Sequence, residues 1–326
     1  MEIVRLRESP SSYAGIIIET PKLRPLSETW QYCDCMRKNH ASKATLILGA
    51  EGFLGSTIFR LISQQGSVYK TIRGSAEFVE GSFESKVELD SLHKYGALHV
   101  INCSSGRLQN HQDAIASNLA FPSSILKRVT DLSVPVTWTQ FDSYTQYSQG
   151  EIHDLNYVNT KNLFNDYLDS QFEERAILSL ERISLPHLYG VGDNILRFLP
   201  KMFCRILLGE NIIVLSPNEL IPIIDVYDCA KIVLENSAVN NKDLNNKRVV
   251  TSISPTEIVS AYDLLSAFKV VTNSQGNLAK GEDVPEIFTE KWNISEQPLE
   301  IQSLCVRTSR LATFNKIHAE LRGKCE

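Results

Sequence analysis

The sequence predicts an α/β fold: a parallel sheet wound on both faces by helices, followed by a smaller C-terminal lobe. Two observations carry this expectation. Strand-like apolar runs alternate with helical patterns from residue 44 to about 184, the pattern of a parallel sheet covered on both sides. Between the first run, ATLIL (44–48), and the helical pattern at 53–65, Gly49, Gly52 and Gly55 form G-x-x-G-x-x-G. A strand, a glycine-studded turn and a helix in that order mark the doubly wound sheet as Rossmann-type.

Each glycine has a physical task in that reading. Gly49 allows a tight turn that a Cβ would block. Gly52 lets a diphosphate approach the backbone, and Gly55 lets the helix pack closely on the strand. The helix opens at Phe53 and Leu54, whose free N–H groups and positive dipole end suit phosphate. The next strand, SVYKTIRG (67–74), ends in Arg73 with no acidic residue before Glu77. An arginine there accommodates a 2′-phosphate, where an acid would bind the ribose hydroxyls. NADP(H) is therefore favoured as cofactor, with NAD(H) the alternative.

The remaining elements follow the same logic. Strands are expected at LHVINCSS (98–105), VPVTWT (134–139) and AILSLERIS (176–184), with helices at about 109–128 and 154–170. Past residue 184 a turn-rich segment, LPHLYGVGDN, leads to a helix near 195–208 and a short strand at 212–215. The expected organisation is an arm of unknown role at 1–43, a dinucleotide-binding domain at 44–184 and a substrate-binding lobe at 185–326. The lobe is partly interleaved with the domain, because IDVYDCAKIVLEN (224–236) reads as another helix against the sheet. PKLRPLSE in the arm reads as loop.

Composition narrows the class. At 326 residues, 43% hydrophobic and 22% charged with net charge −5, the chain reads as a globular protein with no nucleic-acid or membrane-surface role. Its apolar runs are too short to span a bilayer, and MEIVRLRESPSS lacks the order of a secretory leader. A cytoplasmic location is expected. Seven scattered cysteines, with Cys33 and Cys35 as the one close pair, fit reduced thiols rather than a metal site.

The order and spacing of the glycine motif, VINCSS, Asn118, YVNTK (157–161), RISLPHLYGVGD (182–193) and IIDVYDCAKIV (223–233) resemble the extended short-chain dehydrogenase/reductase family, of the NAD-dependent epimerase/dehydratase type. The resemblance covers about residues 44–270. It implies that Cys103 and Ser104, where relatives carry an alanine pair, lie beside the cofactor. It also implies that Ser105 faces substrate and that Asn118 steadies the elements near the nicotinamide. Tyr157 and Lys161, four apart, share one helix face. A tyrosine of pKa near ~10 is a poor acid or base at neutral pH, and a nearby ammonium stabilises its phenolate. The pair then exchanges a proton with a substrate oxygen as hydride moves, and the resemblance gives Lys161 the nicotinamide ribose as well.

One departure stands out. Relatives place a Ser or Thr at the end of the strand before that helix; aligning Tyr144 with the tyrosine of their motif puts Gln140 there. Thr139 is the expected substitute, with Ser143 second. Dehydratase relatives follow that hydroxyl with an acid pair, Asp-Glu in the usual form, where this chain has Phe141 and Asp142, which speaks against β-elimination. The second half looks most like the C4-reductase branch typified by CDP-abequose synthase. It carries Ile221 and Pro222 in place of the Arg-Asp of many sugar-nucleotide enzymes. His187 is a candidate substrate contact at the pocket rim, and Trp138 is expected in the core.

The function expected is NADPH-dependent reduction of a 4-keto-6-deoxy nucleotide sugar. The rivals are a nucleotide-sugar 4-epimerase and a non-catalytic NADP(H)-binding protein. A small-molecule nucleotide sugar as substrate, no metal, and a homodimer as a possible assembly complete the expectation.

Overall fold

The computed structural model describes residues 5–8, 14–17, 43–63, 67–71, 78–80, 85–87, 89–106, 111–143, 146, 155–236, 247–281, 299–301 and 309–325. Residues Met1–His40 form one compact unit and Ala41–Glu326 another. In the first, β1 (Arg5–Glu8) and β2 (Ala14–Ile17) pair antiparallel, with Arg5 opposite Ile17. PKLRPLSE lies outside the described residues.

The second unit begins with β3 (Lys43–Leu48), buried on both faces after its first residue, as the centre of a parallel sheet must be. Then come α1 (Phe53–Ile62), β4 (Val68–Thr71), β5 (Phe78–Glu80), β6 (Ser85–Val87) and a 3₁₀ turn at Leu89–Lys94. After them, β7 (Ala97–Asn102) leads to a helix in three parts: α2 (His111–Ile115), a π-helical turn (Ala116–Ala120) and α3 (Phe121–Thr130). The strands β8 (Val136–Ser143) and β9 (Ser179–Leu185) flank α4 (Leu155–Glu173).

The remainder alternates short strands with helices: β10 (His187–Tyr189), α5 (Phe198–Leu207), β11 (Ile212–Val214), β12 (Leu220–Asp225), α6 (Val226–Asn236), β13 (Arg248–Ile253) and β14 (Glu257–Ser260). The last elements are α7 (Ala261–Thr272), β15 (Leu278–Lys280), β16 (Leu299–Ile301) and α8 (Arg310–Leu321).

Among the described residues the central sheet has nine strands in the order β16-β13-β9-β8-β7-β3-β4-β5-β6. Pairing is parallel except where β5 joins β4 and β6. The chain leaves β3 for β4 on one side and later returns to place β7 on the other. The carboxyl ends of β3 and β7 therefore bound the switch-point crevice where open α/β sheets bind ligands. This is the doubly wound Rossmann-type sheet that the glycine turn predicts. The C-terminal half also builds it: α6 packs Cys229, Ala230 and Val233 with Ile58 of α1 and Ile47 of β3, while β13 and β16 extend the sheet.

A separate core forms the lobe. Phe203 of α5 stacks on Phe268 of α7 at 4.1 Å between ring centroids, and Phe314 of α8 meets both edge-on. Contrary to the expectation of reduced thiols throughout, Cys204 and Cys325 are bonded across 121 residues of sequence. The bridge ties the chain end beyond α8 to α5; Cys103 and Cys229 are free. A loop of that length closes at a large entropic cost in the unfolded chain, so reduction is expected to lower stability by about 2–4 kcal/mol. Melting with and without a dithiol reductant checks this, and Cys325→Ser should reproduce the reduced value in either buffer.

Candidate active site

The glycine turn is in backbone contact on every side. Gly49 has φ of 69°, and a Cβ there would come within 2.8 Å of the Ser104 backbone, two residues past the end of β7. A Cβ on Gly55 would stand 2.2 Å from the Gly49 carbonyl oxygen, and one on Gly52 3.1 Å from it. Both the turn-to-strand and the turn-to-helix approach thus require bare backbone. Helix α1 starts at Gly52 with no side-chain cap and no acidic residue in its first turn. The N–H groups of Phe53 and Leu54 lack acceptors within the helix. An uncapped, acid-free helix start over bare glycines fits the diphosphate of a dinucleotide. The Gly49 N–H reaches Thr71 Oγ1 at 3.2 Å, binding the turn to β4. Arg73, the candidate 2′-phosphate ligand, lies outside the described residues, as does Tyr144.

At the other side of the crevice, α4 carries Tyr157 and Lys161 on one face, both almost fully buried. The Ser105 hydroxyl points at the Tyr157 hydroxyl at 3.4 Å. Lys161 Nζ donates to the Phe141 carbonyl at 2.7 Å and lies 5.6 Å from the Tyr157 ring centroid. Burial pushes the Cys103 thiol pKa up, with the Lys161 charge opposing. Ser104 turns its hydroxyl back to Asn102 Oδ1.

Asn118 holds this geometry together. Its Oδ1 accepts the Gly106 N–H at 2.9 Å, and its Nδ2 donates to Gly106 O and to Thr160 Oγ1. One amide therefore fixes the backbone next to Ser105 and the helix turn next to Lys161. It projects from the π-helical turn, a local widening that is frequent at functional sites. Thr160, Gly106 and the Phe141 carbonyl were missed by the sequence reading, since backbone groups and a mid-helix threonine leave no pattern. Gln146 was missed too; its side chain accepts the Ser143 N–H and donates to Asn162 of α4.

Thr139 does not join this cluster. The strand runs on to Ser143, four residues or about 13 Å past Thr139. Thr139 is fully buried lower in the sheet, where its hydroxyl donates to Glu181 Oε2 and accepts from His99 Nε2. Ser143 is the strand's last residue and is half-buried. Gln140 is also internal, accepting from Asn102 Nδ2 at 2.8 Å. His187 lies on β10 in register with Ile223 of β12. Trp138 is fully buried, as expected.

The Thr139 cluster has a pH consequence. Thr139 gives its proton to Glu181, so His99 Nε2 must donate and His99 Nδ1 is bare, with no hydrogen-bond partner among the described residues. Burial, helped by the Lys43 charge, lowers the His99 pKa to about 3. Below its ordinary pKa the unfolded chain takes up a proton that the native state refuses. Stability is then lost as pH falls from 6.5 towards 3, by about 1.4 kcal/mol per unit from this group. Urea midpoints at pH 7 and pH 5 should show that loss in the wild type and a smaller one in His99→Gln, which keeps a donor for Thr139.

Asp142 is equally occupied. Its side chain is fully buried, Oδ2 accepts from Arg182 Nε and Nη2 at 3.0 and 2.9 Å, and Oδ1 accepts from Asn165. Phe141 beside it is core. The carboxylate nearest the strand end is thus engaged by internal partners on both oxygens.

No curated protein matches the chain in sequence. Solved structures match its fold. MoeE5 in complex with UDP-glucuronic acid and NAD superposes with a TM-score of 0.62 at 16% identity, over 86% of this chain and 99% of that one. UDP-glucuronic acid 4-epimerase from Bacillus cereus, with UDP-glucuronic acid and NAD, gives 0.64 at 12% identity, over 87% and 100%. TunA, an NAD-dependent NDP-hexosamine 5,6-dehydratase involved in tunicamycin biosynthesis, gives 0.63 at 13% identity, over 86% and 98%. The model of the NAD dependent epimerase/dehydratase family matches residues 45–250. With most of the chain inside that match, and the glycine turn and Tyr157–Lys161 within it, the protein is a member of the NAD dependent epimerase/dehydratase family of enzymes.

Proposed function

We propose that the enzyme transfers hydride at C4 of a nucleotide sugar, in net terms reducing a 4-keto-6-deoxy nucleotide sugar with NADPH. One observation carries the reading: Tyr157, Ser105 and Lys161 converge at the crevice, while Asp142 is locked in an internal ion pair. Such a site can exchange a proton at a carbonyl or alcohol oxygen, and among the described residues the carboxylate at the strand end, Asp142, is engaged elsewhere. That UDP-glucuronic acid is bound by structural neighbours supports a nucleotide-sugar substrate.

Gly49, Gly52 and Gly55 would hold a nicotinamide dinucleotide, which would supply or take the hydride. The chain's own residues manage the oxygen. Tyr157 donates a proton to the substrate oxygen as the carbonyl becomes an alcohol. Lys161, oriented by the Phe141 carbonyl, stabilises the phenolate that remains. Ser105 hydrogen-bonds the reacting oxygen from one side, and Ser143, rather than Thr139, supplies the strand-end hydroxyl. Asn118 positions both Ser105 and the α4 face. Arg73 following β4 would favour NADPH over NADH.

The 4-epimerase reading is second, favoured by the epimerases among the structural neighbours. It returns the hydride and consumes no cofactor. Absorbance at 340 nm, the nicotinamide band, separates the two with CDP- and dTDP-4-keto-6-deoxy sugars as substrates. Stoichiometric NADPH loss supports the reductase. No loss, with interconversion of UDP-sugars by enzyme that retains its dinucleotide, would establish the epimerase instead. Saturable NADPH binding with neither activity would leave the non-catalytic binder.

A further inference from the structure

We infer that Gln146 is a positioning residue for the reaction, acting through Ser143; the inference rests on the function proposed above and on the part Ser143 takes in it. The reason lies in how β8 ends. The Pro135 carbonyl, just before β8, accepts the Leu98 N–H of β7, whereas the Val136 carbonyl accepts the Leu178 N–H on the β9 side. Backbone groups alternate in direction along a strand, so the odd-numbered residues of β8 turn theirs towards β7. But β7 stops at Asn102, opposite Gln140, while β9 stays in register as far as Ser143. The tip of β8 therefore has one edge with no strand beside it among the described residues.

Side chains stand in for the missing strand, since buried backbone groups need partners. Lys161 Nζ and Gln140 Nε2 donate to the Phe141 carbonyl at 2.7 and 3.2 Å. Gln146 Oε1 accepts the Ser143 N–H at 2.7 Å, and its Nε2 donates to Asn162 Oδ1 at 2.9 Å. The Ser143 backbone is thus tied to the residue that follows Lys161 in α4. Asn118 makes the matching connection on the other flank, from the Gly106 N–H to Thr160, the residue that precedes Lys161. Two carboxamides grip α4 on either side of Lys161, and each holds the backbone at or next to a serine of the site.

A carboxamide suits this task because it accepts at one end and donates at the other, with no charge added beside Tyr157 and Lys161. Asn162 is exposed, so the bridge contributes little to stability. What it fixes is the place of the Ser143 hydroxyl relative to the Tyr157–Lys161 face. A displacement of about 1 Å at a reacting centre costs up to ~10²-fold in rate.

The test uses the full chain, with whichever of the CDP- and dTDP-4-keto-6-deoxy sugars or UDP-sugars the wild type turns over. Gln146→Ala is expected to lower kcat about tenfold or more, with KM, dinucleotide affinity and melting close to wild type. Gln146→Glu keeps an acceptor for the Ser143 N–H and lets the Asn162 amide turn to donate, so it should recover most of the rate. In a Ser143→Ala background, Gln146→Ala should cost nothing further, because the hydroxyl it positions is gone. Wild-type kcat in Gln146→Ala or in Ser143→Ala overturns the inference. So does a full loss from Gln146→Ala in the Ser143→Ala background, or an equal loss in Gln146→Glu. Each of these leaves the hydride chemistry at Tyr157 standing. A wild-type chain that turns over none of these substrates overturns the proposed function and this inference together.

Discussion

Replacing Tyr157 with phenylalanine is expected to lower turnover by about 10²–10⁴-fold, the range for removing a positioned general acid. Dinucleotide binding should be unchanged, because the glycine turn and the start of α1 are untouched. The ring is buried in α4 and keeps its packing without the hydroxyl, so melting should also match the wild type. The decisive comparison is single-turnover hydride transfer against cofactor affinity in the same preparation. Lys161→Met should lose both, because Lys161 serves the phenol and, in the proposed site, the ribose. If Tyr157→Phe retains full turnover, proton transfer at the reacting oxygen lies elsewhere and the proposed chemistry fails.

The second large effect concerns stability. Arg182→Met is expected to destabilise the fold by about 3–5 kcal/mol, because removing one partner strands a buried charge. Asp142 is completely buried, and Arg182 supplies two of its hydrogen bonds. The same guanidinium reaches Asp169, which Arg248 also holds. Equilibrium urea unfolding measures the loss. Adding Asp142→Leu to Arg182→Met should recover most of it, since an apolar pair replaces the stranded carboxylate. Some loss of activity should accompany the single variant. Asp142 lies between Phe141, whose carbonyl orients Lys161, and Ser143 at the crevice.

This ion network also explains where sequence reading stopped short. The expected strand at 134–139 ends four residues before the actual one, at Ser143. Gln140, Asp142 and Ser143 look like the polar start of a loop. They are strand because Asn102, Arg182 and Asn165, all remote in sequence, satisfy Gln140 and Asp142 inside the fold. Ending the strand early placed Thr139 at the open end of the sheet, when it is buried against His99 and Glu181. The disulfide was hidden for a related reason: 121 residues separate its halves, and no spacing rule links them.

By itself the sequence determined the strand–turn–helix, expected at 44–65 and found at 43–62, the alternating architecture, and the shared helix face of Tyr157 and Lys161. These depend on local physics: glycine backbone freedom and the periods of strand and helix, all acting within about 20 residues. Only the tertiary structure decided that Ser105 meets Tyr157 across 52 residues, that Asn118 braces both, and that Asp142 is spent on Arg182. Those facts depend on which strands become neighbours in the sheet. That order is fixed by burial summed over the whole unit, which no local pattern records.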